Sequence, residues 1–227
     1  MKIKTKATKK ISKKNILRKP KTKVTVNKSI VSSGLGFPKK LQMTHKYNGS
    51  ISLAGIAGAF VSWNFSCNGM YDPDQTGVGH QPMYFDQLTA LYDHYCVIGS
   101  KAVFNIIPTN SSYGSAAMGV FINDDTTVTP TSFPTAIEQS NGTHRFVAFN
   151  NTKPISFTAN WSAKRNFGAA VLANTELQGT ASANPTEQQY FTVWSQSIDG
   201  VTTAQFWVEV VITYVAIWKE LKELGPS

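Results

Sequence analysis

Residues 205–219 read QFWVEVVITYVAIWK, and their alternation is the strongest indication of fold class in the chain. Every second residue is apolar and lies on one face of an extended strand: Phe206, Val208, Val210, Ile212, Tyr214, Ala216 and Trp218. The other face mixes polar residues such as Glu209 and Thr213 with apolar ones. A shift of one residue would turn the whole apolar face outward, so the register of this strand is strongly specified.

Seven further segments show shorter or weaker strand patterns: 41–53, 58–66, 95–108, 115–123, 143–149, 154–161 and 188–197. One face of segment 95–108 is expected to carry Cys96, Ile98, Ala102, Phe104 and Ile106. Helical turns are predicted only at Met83–Tyr92 and Phe133–Gln139, which excludes a parallel βαβ architecture. We therefore predict an all-β fold, an eight-stranded antiparallel jelly-roll sandwich.

Charge divides the chain into two parts. Residues 1–40 hold 14 of the 22 Lys and Arg residues and no Asp or Glu. Residues 41–227 hold the other eight bases against 13 acids, a net charge of −5. Like charges repel and the first segment has no apolar period, so we expect a disordered basic arm with a Gly/Ser/Pro hinge at 31–38. The predicted domains are this arm with its hinge at 1–40 and a jelly roll at 41–227.

The arm is expected to bind a polyphosphate, because a flexible polycation binds nucleic acid by releasing condensed counterions. Its only aromatic residue is Phe37 at the hinge, so base stacking is not available to it. An anionic lipid surface is the weaker alternative, since the arm has no amphipathic face or lipidation motif. The residues predicted to bind nucleic acid are Lys2, Lys4, Lys6, Lys9, Lys10, Lys13, Lys14, Arg18, Lys19, Lys21, Lys23, Lys28, Lys39 and Lys40.

Two other features concern cellular location. Clusters such as Lys9 with Lys10 and Lys13 with Lys14 also fit a nuclear import signal. The most apolar stretch, Val210–Trp218, is bounded by charged residues and is too short for a membrane helix. The N-terminus is basic without an apolar secretory segment, so neither secretion nor membrane insertion is expected.

Catalysis has weak support in the sequence. His94 and Cys96 share a strand face, but zinc-type CxxC and HxxxH pairs are absent, as are GxSxG and HExxH motifs. A buried thiol at Cys96 and a hydrogen-bonded His94 explain the same residues, and a disulfide between Cys67 and Cys96 is less favoured. We predict no catalytic residue and no enzyme activity.

The carboxylates in predicted loops leave a calcium site between subunits open as an alternative. Asp72, Asp74, Asp124 and Asp125 lie in predicted loops, where carboxylates from two subunits could share a Ca²⁺ ion. Turns in which each Asp caps its own backbone explain them more simply. We therefore predict no metal site and no cofactor, with interfacial calcium as the weaker alternative.

The arm leads into GLGFPKKLQMTHKY at 34–47, and FSCNGMYDPDQTGVGHQPMYFDQLTALYDHYCVIGSKAVF follows at 65–104. These stretches, above all GHQPMYFDQL and YDHYCVIGSK, resemble the capsid proteins of small circular Rep-encoding single-stranded DNA viruses, the circovirus-like group. The likeness is strong over 34–108 and only general afterwards. The arm departs from the Arg-rich pattern of that group, since Arg18 is its only arginine.

The resemblance implies a non-enzymatic virion protein whose arm faces the interior of an icosahedral shell around a circular single-stranded DNA genome. A smallest (T=1) shell of about 60 copies would bring roughly 840 arm cations inside, which offset on the order of a thousand phosphates. The predicted partners are further copies of the chain and this genome, and assembly is expected in the host nucleus. The tryptophans are expected mainly in the core, with assembly contacts as the alternative: Trp63, Trp161, Trp194, Trp207 and Trp218.

Two other functions remain open. The coat protein of a small positive-strand RNA virus or satellite uses the same basic arm and jelly roll. A carbohydrate-binding jelly roll with a basic tail belongs to another class, and would need exposed aromatic side chains along a groove.

Overall fold

A computed structural model describes residues 36–77, 79–109, 114–148, 151 and 153–223. The strands are β1 Lys40–Gly55, β2 Val61–Ser66, β3 Tyr92–Pro108, β4 Ala116–Asn123, β5 Thr143–Val147, β6 Ile155–Ser162, β7 Tyr190–Ser197 and β8 Ala204–Leu221. Three short α-helices are α1 Phe85–Thr89, α2 Phe133–Ile137 and α3 Ala163–Phe167, with 3₁₀ turns at Ile56–Gly58 and Thr175–Leu177. No helix in these ranges is long and apolar enough to cross a membrane.

The strand order identifies the fold. The first sheet has the order β1-β8-β3-β6 and the second β2-β7-β4-β5, with every neighbouring pair antiparallel. The first strand thus pairs with the eighth, the second with the seventh, the third with the sixth and the fourth with the fifth. This nested pairing is the jelly roll, so the predicted fold class is confirmed.

The core lies between the two sheets and is dominated by β8. The seven apolar residues that alternate from Phe206 to Trp218 are all fully buried. Four aromatic rings pack on the Trp218 indole: His45, Phe85, Tyr92 and Tyr95. The Tyr214 hydroxyl donates to the Ser66 carbonyl of the opposite sheet at 2.7 Å, which satisfies a polar atom that this face buries deeply.

The face predicted for segment 95–108, now β3, is wrong at its first two residues, Cys96 and Ile98. The pairing of β3 with β8 shifts between Val97 and Gly99, so Ile98 is the extra residue of a β-bulge. The bulge reverses the alternation, so Tyr95 faces inward opposite Trp218 whereas Cys96 faces outward opposite Ile217. Ala102, Phe104 and Ile106 do face the core, but Cys96 and Ile98 do not share that face.

The outer faces of the two sheets differ. Residues 124–142, which include α2, cover the second sheet, and Ala136 packs there with Ala117, Phe121 and Trp194. Residues 169–173 cover only one end of the first sheet, where the Cys96 thiol lies 3.9 Å from the Val171 carbonyl oxygen. The middle of the outer face of the first sheet therefore lacks a comparable cover among the described residues.

Trp218→Ala should destabilise the body by about 3–5 kcal/mol, because a fully buried indole is removed from an aromatic cluster. Trp207→Ala is the matched control on the same strand, since Trp207 is 39% exposed on the outer face. It should lower the free energy of unfolding by well under half as much as Trp218→Ala does. Urea unfolding of the unassembled protein measures both. Equal losses would contradict this division of β8 into a core face and a surface face.

Candidate nucleic-acid interface

Lys39 and Lys40 mark the place where the basic arm joins the body. The other predicted nucleic-acid-binding residues, Lys2 to Lys28, lie outside the described residues, as does the predicted disorder of the arm. Lys40 is the exposed first residue of β1, and the Tyr92 hydroxyl donates to the Pro38 carbonyl at 2.8 Å. The root of the arm is therefore held against β1 and β3 of the first sheet.

A row of basic side chains crosses the first sheet at this root. Lys40 lies opposite Lys219 on β8, and Lys219 lies opposite His94 on β3. The Glu220 carboxylate accepts from the Lys219 ammonium at 3.0 Å and contacts His94 Nδ1 at 2.7 Å. These bonds, the one from Lys219 first, hold the pKa of Glu220 below its usual value. The root is thus a mixed-charge cluster beside a cleft of about 540 Å³ that Lys39 and Leu172 also line.

A second basic row lies in the uncovered middle of the same outer face. Lys46 on β1 and Lys101 on β3 both lie opposite Thr213 of β8, and both lysines are exposed. Neither takes part in an ion pair with another described residue. Sequence analysis missed these residues as a pair. Alternation alone places each on a polar face, but it does not show that β1 and β3 flank β8.

One acid lies on this uncovered face. Glu209 accepts from Asn48 Nδ2 at 3.1 Å and from Asn105 Nδ2 at 2.9 Å. The two hydrogen bonds, that from Asn105 first, lower the pKa of the Glu209 carboxyl. Its charge is therefore retained and fixed in place, four residues along β8 from Thr213.

The cysteines and His94 do not form a reactive site. Cys67 and Cys96 are free and buried, and burial raises the pKa of both thiols, that of Cys96 to about 11. A thiol with a raised pKa is a weak nucleophile at neutral pH. His94 is engaged by Glu220, which matches its expected hydrogen-bonded role. The described ranges contain no group of three or more His, Cys, Asp or Glu side chains that could hold a metal ion.

Two of the four loop carboxylates, those of Asp74 and Asp125, bond to their own turns. Asp74 Oδ1 accepts from the Thr76 amide at 3.0 Å and from Trp63 Nε1 at 3.0 Å. Asp125 Oδ1 accepts from the Thr126 amide at 2.6 Å. The bonds from Thr76 and Thr126 are those of Asp-capped turns, whereas the bond from Trp63 ties Asp74 to β2. An interfacial calcium ion would need a second subunit and stays a prediction.

The four most exposed large apolar side chains among the described residues lie in two patches at opposite ends of the body. The far end, where β1 finishes, has Ile56 at 71% and Val201 at 74% exposure. The end with the arm root has Met83 at 72% and Tyr84 at 60%. About 11 residues of β1 separate the two patches, roughly 35 Å in a strand. Of the tryptophans, Trp161, Trp194 and Trp218 are buried in the body as expected, Trp63 is half-buried, and Trp207 is surface-exposed.

His45 ties the patch at Met83 and Tyr84 to the core. Trp218 Nε1 donates to His45 Nε2 at 3.0 Å, so that nitrogen carries a lone pair and the imidazole is neutral. The proton then lies on Nδ1, which donates to the Met83 carbonyl at 3.2 Å. Burial lowers the pKa of His45, and the bond to Met83 opposes this only in part.

Comparison with known proteins finds no matching family model and no matching curated protein. Similar solved structures include Desmodium yellow mottle tymovirus, 17% identical with a TM-score of 0.41 over 89% of this chain and 99% of that chain. The decameric BFDV capsid protein is 12% identical, with a TM-score of 0.42 over 79% of this chain and 100% of that chain. Tobacco necrosis virus is 12% identical, with a TM-score of 0.48 over 82% of this chain and 85% of that chain. The jelly-roll assignment follows from the strand order and does not depend on these likenesses.

His45 should make the folded body less stable in mild acid. Below the ordinary histidine pKa of about 6.5 the unfolded chain takes up a proton that the folded state resists, so the free energy of unfolding falls as pH drops from 7 towards 5. His45→Gln keeps an acceptor for Trp218 and a donor for Met83 but does not titrate, so this fall should flatten. Urea unfolding at each pH tests this, with the exposed His144→Gln as control. An unchanged slope in His45→Gln would contradict the assignment.

Proposed function

We propose that this chain is a viral coat protein whose jelly-roll body assembles into an icosahedral shell and whose arm packages single-stranded nucleic acid. The observation that carries the proposal is the separation of charge, with 14 bases and no acid in residues 1–40 and a net charge of −5 in the rest. A polycation joined to such a body gathers polyphosphate by counterion release. The acidic body does not compete with the arm for the polymer.

The far end of the body supports self-assembly. The connections β1–β2, β3–β4, β5–β6 and β7–β8 begin and end there, and their described residues contain only one acid, Asp199, and one base, Lys153. Interfaces that bury few charges avoid the cost of desolvating them. Copies that meet through this end bring apolar side chains such as Ile56 and Val201 together without like-charge repulsion. By contrast, most of the acids lie in the loops, strand ends and C-terminal segment at the other end.

The packaged polymer in this proposal is circular single-stranded DNA, in a shell of about 60 copies assembled in the host nucleus. The resemblance of 34–47 and 65–104 to circovirus-like capsid proteins supports DNA. A positive-strand RNA genome is the alternative, because Lys side chains contact phosphates of either polymer as point charges. DNase and RNase sensitivity of the packaged material distinguishes the two genomes.

One cleft favours a second candidate function, carbohydrate binding. It has a volume of about 620 Å³, and its lining includes Tyr71, Asp72, Tyr84 and Asp86. Aromatic rings beside carboxylates can stack on and hydrogen-bond to a sugar. Binding on a glycan array by a protein that never assembles would favour this function over a coat.

The full chain, purified and mixed with single-stranded DNA at ~0.1 M salt, should form closed particles visible by electron microscopy. A chain that lacks residues 1–30 should keep its folded body and lose the nucleic acid, because nearly all of the arm charge is gone. The ratio of absorbance at 260 and 280 nm in the particles measures the packaged polymer.

Two outcomes would overturn the proposed function. One is a full-length chain that stays monomeric across salt and pH, with and without nucleic acid. The other is a truncated chain that packages as much polymer as the full chain.

A further inference from the structure

We infer that the uncovered outer face of the first sheet is a second contact surface for the packaged single strand, on which Lys46 and Lys101 bind phosphates. The inference rests on the proposed packaging function and adds to it the face of the body that turns towards the polymer. The arm contacts the polymer as a flexible polycation, whereas this surface is part of the folded body.

The two lysines form one row across three strands. Each lies directly opposite Thr213, so all three side chains point to the same face of the sheet. Two strand spacings separate Lys46 from Lys101, about 10 Å. Both are exposed, and neither forms an ion pair with another described residue. Two exposed ammonium groups at this spacing can each contact a phosphate of the same nucleic-acid strand.

The surroundings of the row are almost without acid and mix neutral polar side chains with apolar ones such as Val103, Val211 and Val215. The residues on the same face are mostly neutral, including Thr44, Asn48, Thr158 and Asn160. Glu209 is the nearest acid on this face, and four residues of β8 place it about 13 Å from Thr213. Asn48 and Asn105 hold its carboxylate, which attracts Lys46 electrostatically but forms no ion pair with Lys46 or Lys101.

The face is also continuous with the arm. The arm joins β1, an edge strand of this sheet, and Lys40 with Lys219 lies on the same face six residues, or about 20 Å, from the Lys46 row. A strand of nucleic acid held at the arm root therefore lies beside the β1 side of this face, where Gln42 and Thr44 are exposed, whereas residues 169–173 cover the β3 side of that end. The second sheet offers no equivalent, because residues 124–142 cover its outer face.

Lysine footprinting on the full-length wild-type chain tests the inference without a mutation. An amine-acylating reagent is applied with and without oligo(dT) at ~0.1 M salt, and modified sites are measured by mass spectrometry. Lys46 and Lys101 should be protected by oligo(dT) and reactive without it, while the exposed Lys164 on α3 should react equally in both. Lys46 and Lys101 that stay reactive with polymer bound would overturn the inference. Their protection without polymer would also overturn it, since another copy would then cover the face.

A matched pair of double variants measures the phosphate contacts. Lys46→Gln with Lys101→Gln should reduce the slope of log K against log salt by about 1.4, because each contact with a single strand contributes about 0.7. Arg145→Gln with Lys153→Gln removes the same charge from β5 and a far-end loop, and should leave the slope unchanged. Circular dichroism checks that both variants are folded.

The two proposals fail in different ways. The slope of log K against log salt could be the same in both double variants, while removal of residues 1–30 still abolishes binding. That result would overturn only the inference about the sheet face. A wild-type chain that does not bind oligo(dT) at low salt would overturn the packaging function and this inference together.

Discussion

The two-sided pairing of β8 is the constraint on which the rest of the body depends. Its 18 residues pair with β1 on one side and β3 on the other, almost from end to end. One face of β8 supplies the apolar centre of the core, and the other supplies the middle of the uncovered outer surface. A single strand thus sets both the packing that stabilises the jelly roll and the positions of the lysines that flank Thr213. A change of register in β8 would disturb the core and this surface together.

The sequence was sufficient to predict the strands because their alternation reflects burial on one face. All eight strands and both helical turns lie where the pattern indicates, with shifts of a few residues at the ends. The β-bulge at Ile98 could not be predicted, since an inserted residue changes the alternation without a distinctive residue type. Helix α3 was missed for a related reason: its five residues are too few to show a helical period.

The candidate nucleic-acid interface was also predictable only in part from the sequence. The basic arm could be identified from composition alone, because a run of cations without acids needs no tertiary structure to be recognised. Lys46 and Lys101 are 55 positions apart in the sequence, and only the non-consecutive strand order β1-β8-β3 brings them to one row. Periodicity shows which face of its own strand a residue occupies, but it does not show which strands become neighbours. Sites that several strands build together therefore require the topology.

In the proposed function, the separation of charge also explains how a stable body can assemble with further copies. Fourteen like charges within the folded part would oppose compaction and repel neighbouring copies, whereas on an arm they can be neutralised by the polymer. The acids are then free to cluster at the end of the body that bears the arm root, where Glu220 pairs with Lys219 and contacts His94. That arrangement leaves the far end nearly uncharged. Because the repulsion between arms disappears only when the polymer binds, closure of the shell is coupled to the presence of nucleic acid in the proposed function.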